Sequence, residues 1–185
     1  TSMQECQELL LITENIKKEY IVGFTSTGRG SCSPNITTQQ NSITYHGTYV
    51  HHKTQQKGVA IQIPRKWATK TDITRDIGQG RTIMALTETN DQSLLTIVTY
   101  AVPNTKTHSI EAQVAHWKYV RNMISRVKIT KKVAIVLLGD TQISKHTHKD
   151  VRNEYEKFKA ALGLFELKDT LGNTQFTYKK GKTQI

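Results

Sequence analysis

The chain has 185 residues, enough for one domain with a sizeable core, and 36% of them are apolar. Lys and Arg number 26 against 15 Asp and Glu, a net charge of +11, which points to a polyanionic partner with nucleic acid first. Two cysteines, Cys6 and Cys32, exclude a disulfide scaffold and a cysteine-rich metal site.

No run approaches the ~20 apolar residues of a bilayer span, and Thr1 to Glu5 lacks the basic and apolar regions of a secretory signal. The expectation is an intracellular protein (nuclear, cytoplasmic or organellar) with no membrane partner. In chain order, Leu9, Ile12 and Ile16 predict a helix over Glu8 to Tyr20. Ile21 to Phe24 reads as a short strand, and Thr25 to Thr44, rich in Gly, Ser, Asn and Gln, as a long loop. Tyr45 to Val50 and Gly58 to Pro64 are strands, the second ended by its proline. Arg81 to Thr87 alternates as a half-buried strand does. Leu94 to Tyr100 is β-branched and central, and Asn90 to Ser93 turns between the two.

Ser109 to Arg126 is the strongest helix, capped by Ser109, with an apolar stripe through Ile110, Val114, Trp117, Val120 (or Arg121) and Ile124. Val133 to Leu138 is an uninterrupted apolar run of the kind buried on both faces, and it ends at Gly139-Asp140. A second helix spans Asp150 to Leu162 and stops at Gly163. Leu164 to Leu167 and Gln175 to Tyr178 complete the strands. Strands with helices interposed predict an α/β domain with helices packed outside sheets.

An apolar strand ending in Gly-Asp sets one carboxylate at a sheet rim, although Gly-Asp also opens ordinary turns. Tyr100 closes another central strand, in Tyr100-Ala101-Val102-Pro103-Asn104. Glu5 follows Gln4, and Asp169 lies two residues past Leu167. Singly, each is as readily a packing or turn residue; their order carries the reading.

That order resembles the endonuclease/exonuclease/phosphatase superfamily, and within it the endonuclease domains of non-LTR (LINE-type) retrotransposons. The resemblance runs from Gln4 to Ile185. Gln4-Glu5 is similar to the family's Gln-Glu, Gly58-Val59-Ala60-Ile61 to its Gly-Val-Ala-Ile strand, and Gly80-Arg81 to the Gly-Arg before the next strand. Tyr100 to Asn104 resembles Tyr-Ala-Pro-Asn with Val102 inserted, and Gly139-Asp140-Thr141-Gln142 stands where the family has Gly-Asp-x-Asn. Leu167-Lys168-Asp169 and Phe176-Thr177-Tyr178 resemble Leu-x-Asp and Phe-Thr-Trp.

The resemblance implies a single domain over residues 1–185, a layered β-sandwich with outer helices that lacks both ends of the family domain. It implies Mg²⁺-dependent hydrolysis of a DNA phosphodiester, since a hard cation held by one or two carboxylates neutralises phosphoryl oxygens. Glu5 is then the metal ligand, with Glu8 of Gln7-Glu8 as its rival. Asp140 orients or deprotonates the attacking water, Gln142 takes the place of an Asn amide, and Tyr100 bonds the phosphate as charge grows. Arg81 and Thr177 would contact nucleic acid, and Asp169 would buttress the fold. Nothing before Glu5 supplies the family's metal-site Asn, and nothing after Ile185 supplies its closing Asp and Ser-Asp-His. His146, His148, His51 and His52 do not stand in the family's His position, and His146 to Lys149 reads as a solvated loop.

Basic residues cluster on the first strong helix and its exit (Lys118, Arg121, Arg126, Lys128), on the second (Lys145, Lys149, Arg152, Lys157, Lys159) and near the end. Lys145 and Lys149, beside the expected catalytic edge, suit phosphate contact, which adds salt-dependent affinity without sequence choice. A second reading is a catalytically inactive domain of the same fold. It would bind DNA or RNA, or serve as a structural subunit of a ribonucleoprotein, with a partner chain completing the sheets. A third, a phosphatase for small phosphorylated lipids or nucleotides, fits the fold and does less well with the basic surface.

Overall fold

The computed structural model describes residues 21–25, 27, 36–47, 58–75, 80–88, 92–103, 108–127 and 133–162. Two four-stranded sheets account for the strands among these residues. The first has the order β1-β4-β3-β2, from β1 (Val22–Thr25), β2 (Ile36–Thr38), β3 (Ser42–His46) and β4 (Val59–Pro64), all antiparallel. The second is β5-β6-β7-β8, from β5 (Thr71–Arg75), β6 (Thr82–Glu88), β7 (Ser93–Tyr100) and β8 (Val133–Asp140). Its first two pairings are antiparallel, and β7 with β8 is parallel. A one-turn helix α1 (Arg65–Ala68) joins β4 to β5, α2 (Ile110–Ile124) crosses from β7 to β8, and α3 (Lys149–Ala161) follows β8.

Side-chain alternation along β6 and β7 builds three layers. Ile83, Ala85 and Val98 face the first sheet and pack on Val59, Ile61 and Ile63 of β4. Met84, Leu86, Leu95 and Ile97 face the other way, onto Trp117, Val120 and Met123 of α2 and Val151, Tyr155 and Phe158 of α3. The helix layer is pinned by Trp117, whose ring lies 4.7 Å from that of Tyr155 and 5.1 Å from that of Phe158. The domain is therefore an α/β layered sandwich with helices outside, as expected from the order of strands and helices. The sheets close tightly at Gly23, where a Cβ would lie 2.9 Å from Val98 Cγ2 and 3.2 Å from Leu138 Cβ.

Several expectations are corrected. β6 is not half-buried: Thr82 to Thr87 are all buried, because a middle strand between a sheet and a helix layer has no wet face. β8 is the reverse. Its apolar run lies at the sheet edge with Ala134 exposed and Val136 40% exposed, because no described strand pairs with its outer side. The expected long loop over Thr25 to Thr44 contains β2 and the start of β3. The sequence missed α1 and β5. β5 is Thr-Asp-Ile-Thr-Arg, with one apolar residue, and is the other edge of its sheet, where polar strands are tolerated.

The first strong helix is capped as expected, Ser109 Oγ accepting from Ala112 N at 3.2 Å. Its buried face is rotated, however: Gln113, His116, Trp117, Val120 and Met123 point inward while Ile110 is 38% exposed. The helix expected over Glu8 to Tyr20 and the strands at Leu164 to Leu167 and Gln175 to Tyr178 lie outside the described residues.

Candidate active site

Parallel pairing decides where the chemistry-bearing residues meet. β7 and β8 run in the same direction, so both end at one rim, and Tyr100 stands opposite Asp140 in the register. The Ala101 amide continues the ladder by donating to the Asp140 carbonyl at 2.9 Å. Tyr100 packs against the inter-sheet cluster, as does Leu138, so by strand alternation Asp140 belongs to the same face. At this rim Tyr100 is half-buried and Asp140 exposed.

Gly139 makes this close meeting possible. Its φ is +110°, and a Cβ there would stand 2.1 Å from the Thr99 carbonyl oxygen. The next turn aims Asp140. Its Oδ1 accepts from the Gln142 backbone N–H at 3.0 Å, and its Oδ2 accepts from Gln142 Nε2. Gln142 has φ +54°, the left-handed region where Asn and Gly sit at least cost. The loop continues through Thr147, 3% exposed, whose Oγ1 accepts from Ser144 N at 2.8 Å, and His148 then caps α3 by accepting from Asp150 N at 3.3 Å.

Arg81, expected to touch nucleic acid, is placed beneath Tyr100 and is only 4% exposed. Its Nη1 donates to the carbonyls of Tyr100 at 3.2 Å and Ala101 at 3.4 Å, and its guanidinium carbon lies 5.4 Å from the Tyr100 ring centre. The Tyr100 N–H donates to the Arg81 carbonyl at 2.8 Å. This buried arginine bonds the backbone that carries Tyr100.

Asp140, Tyr100 and Gln142 are thus brought together. Lys145 and Lys149 are exposed on the loop and first helical turn that follow them. Glu5, Thr177 and Asp169 lie outside the described residues. Sequence reasoning missed Thr25, the end of β1, whose methyl lies 3.1 Å from where a Gly139 Cβ would sit. It also missed Thr99 and His116 behind the rim; a His on the inner face of a helix was the available signal.

Among the described residues, no group of three or more His, Cys, Asp or Glu could hold a metal ion. Among the described rim residues, the Asp140 carboxylate is a hard oxygen donor. Its oxygens keep lone pairs beyond those used by Gln142, which suits an ion such as Mg²⁺ that binds one or two carboxylates and keeps its waters. A separate groove of about 490 Å³ runs between α2 and α3, lined by Glu111, Lys118, Asp150, Glu154 and Lys157 among others, and none of the expected site residues borders it. No helix among the described residues is long and apolar enough to cross a membrane.

No family model matches the chain, and no curated protein matches it. Among solved structures it is similar to beta toxin from Staphylococcus aureus, with a TM-score of 0.43 and 13% identity over 55% of this chain and 39% of that one. A beta-hairpin deletion mutant of the same toxin matches with a TM-score of 0.38 and 16% identity, over 57% of this chain and 40% of that one. A substituted beta toxin with bound magnesium ions matches with a TM-score of 0.38 and 16% identity, over 57% of this chain and 38% of that one. The chain spans about two fifths of the length of the beta-toxin chains it matches.

Proposed function

We propose that this chain is a metal-dependent phosphodiesterase of the endonuclease/exonuclease/phosphatase type, acting on DNA as the endonucleases of LINE-type retrotransposons do. The observation that carries the reading is the pairing of Tyr100 with Asp140 at one rim, with Gln142 folded onto the carboxylate. The order of motifs from Gln4 to Tyr178 supports it.

The Asp140 carboxylate is fixed on two sides by Gln142, so it holds one orientation toward the rim. From there it accepts a proton from an attacking water, or orients that water, as a general base. The Tyr100 hydroxyl donates to a non-bridging phosphate oxygen as charge develops there. Arg81 holds Tyr100 by its backbone. Glu5, with Asp140, would hold Mg²⁺, which when bound neutralises the phosphoryl oxygens. Lys145 and Lys149 supply phosphate contacts along the strand leaving the site.

One observation favours the alternative of an inactive nucleic-acid-binding domain. Both Asp140 oxygens accept from the same Gln142, which competes with water for the base.

The deciding experiment is nicking of supercoiled plasmid with Mg²⁺, with EDTA and with Asp140→Ala. Mg²⁺-dependent nicking that disappears in Asp140→Ala is the expected result. Absence of nicking by folded protein that shifts duplex DNA overturns catalysis and leaves the binding reading. In that shift assay the doubly substituted Lys145→Ala, Lys149→Ala protein is expected to lower the log-log salt slope by about 2.

A further inference from the structure

Behind the rim, the helix-facing side of the β6–β7 pair changes character. Its cross-strand pairs run Leu86 with Leu95, Met84 with Ile97, and then, at the site end, Thr82 with Thr99. Packing alone would continue the apolar series. Instead, Thr99 is fully buried, and its Oγ1 lies 3.0 Å from Thr82 Oγ1, 3.2 Å from His116 Nε2 and 3.4 Å from the Arg81 carbonyl oxygen.

The protons in this cluster can be assigned. A hydroxyl has one proton and a carbonyl only accepts, so where Thr99 serves the Arg81 carbonyl it has no proton left for His116. His116 must then donate its Nε2–H to Thr99 Oγ1. That tautomer leaves Nδ1 as a bare acceptor, and Nδ1 has no hydrogen-bond partner among the described residues. The opposite tautomer would bury an N–H donor with nothing to bond, the costlier arrangement. Burial holds the imidazole uncharged, pushing its pKa down to about 3, and the Arg81 charge adds to this.

The same Arg81 whose carbonyl receives Thr99 sends its guanidinium to the Tyr100 and Ala101 carbonyls and accepts the Tyr100 N–H. The Arg81 bonds thus end on the peptide groups that carry Tyr100, and Thr99 ties His116 to the same arginine.

We propose that His116 and Thr99 are positioning residues: through Nε2–H to Thr99 Oγ1 to the Arg81 carbonyl, helix α2 fixes the end of β7 in the register that sets Tyr100 beside Asp140. The proposal rests on the phosphodiesterase reading only for what that pair does. The cluster itself is tested without substrate.

Thr99→Val keeps the side-chain shape and removes the hydroxyl, whereas Thr99→Ser keeps it. Ile97→Val, on the same face, is a comparable core loss without a polar change. In isotope-labelled full-length protein at pH 7, nitrogen shifts are expected to report His116 as the Nε2–H tautomer. Thr99→Val is expected to shift the Tyr100 ring and Gln142 side-chain amide resonances, and Thr99→Ser to leave them near wild type. Ile97→Val is expected to lower the thermal midpoint without moving them. Thr82→Val removes one bond of the cluster, and is the milder variant should Thr99→Val not fold; it is expected to move the same resonances less. In plasmid nicking, Thr99→Val is expected to lower kcat on the order of ten- to a hundredfold at unchanged KM. An Nδ1–H tautomer overturns the proposal, as do Tyr100 and Gln142 resonances unmoved in a folded Thr99→Val or Thr82→Val. Should wild type fail to nick DNA, the resonances still decide the cluster, and the catalytic reading alone falls.

Discussion

Gly139→Ala tests the rim at its tightest point. The backbone there has φ +110°, where an L side chain is strained by about 1–3 kcal/mol. The added methyl would lie 2.1 Å from the Thr99 carbonyl oxygen, against the ~3.3 Å at which carbon and carbonyl oxygen touch. The neighbour is backbone, so relief requires parting β7 and β8 by about 1 Å, loosening one or two ladder bonds at ~1 kcal/mol each. The expected loss is about 2–5 kcal/mol, a large part of the ~5–15 kcal/mol a domain has. Urea unfolding followed by the fluorescence of Trp67 and Trp117 measures it, as a lower midpoint at unchanged slope. Gly58→Ala is the internal comparison. It also has positive φ, +123°, but its new methyl would meet the hydroxyl tip of Thr27 at 2.5 Å, which can rotate away. It is expected to cost less than half as much. A loss below ~1 kcal/mol for Gly139→Ala, or the same loss at both glycines, would refute the reasoning.

Gln142→Asn relieves a left-handed backbone position, and is expected to raise stability by about 0.5 kcal/mol in the same unfolding assay. A loss above ~1 kcal/mol would show that the longer amide's bond to Asp140 governs instead. Acid stability should report His116. Its folded pKa is lowered to about 3 from 6.5, so its contribution is full above pH 6.5 and is lost as pH falls toward 3. One proton corresponds to ~1.4 kcal/mol per pH unit, so urea unfolding between pH 6 and 4 is expected to be about one proton shallower in His116→Gln. Equal pH slopes in the two proteins would show that this imidazole is not held uncharged.

The sequence was most legible where one environment acts on a whole element. Leu94 to Tyr100 read as a central strand and is one, with a strand on each side. Ser109 capped its helix as expected. Where an apolar run could serve two environments, composition alone could not choose. Val133 to Leu138 looked doubly buried but lies at an edge, and β6 looked half-wet but is covered from Thr82 to Thr87. The inward turn of His116 follows from a tertiary fact, the buried Thr99 opposite α2, that helical periodicity cannot express. The rim residues Tyr100, Asp140 and Gln142 were chosen by motif order. What the sequence did not reveal was how they meet, because that depends on a parallel register between strands far apart in the chain.

That parallel register bears on how the protein folds. β6 and β7 are joined by a hairpin and can pair early, at small entropic cost. β7 and β8 cannot: about forty residues, including all of α2, must be closed into a loop before Tyr100 meets Asp140. Pairings of that range are slow steps of folding. The two halves of the rim are thus strangers until that long loop has closed, and any turnover the rim supports would report finished folding as much as chemistry.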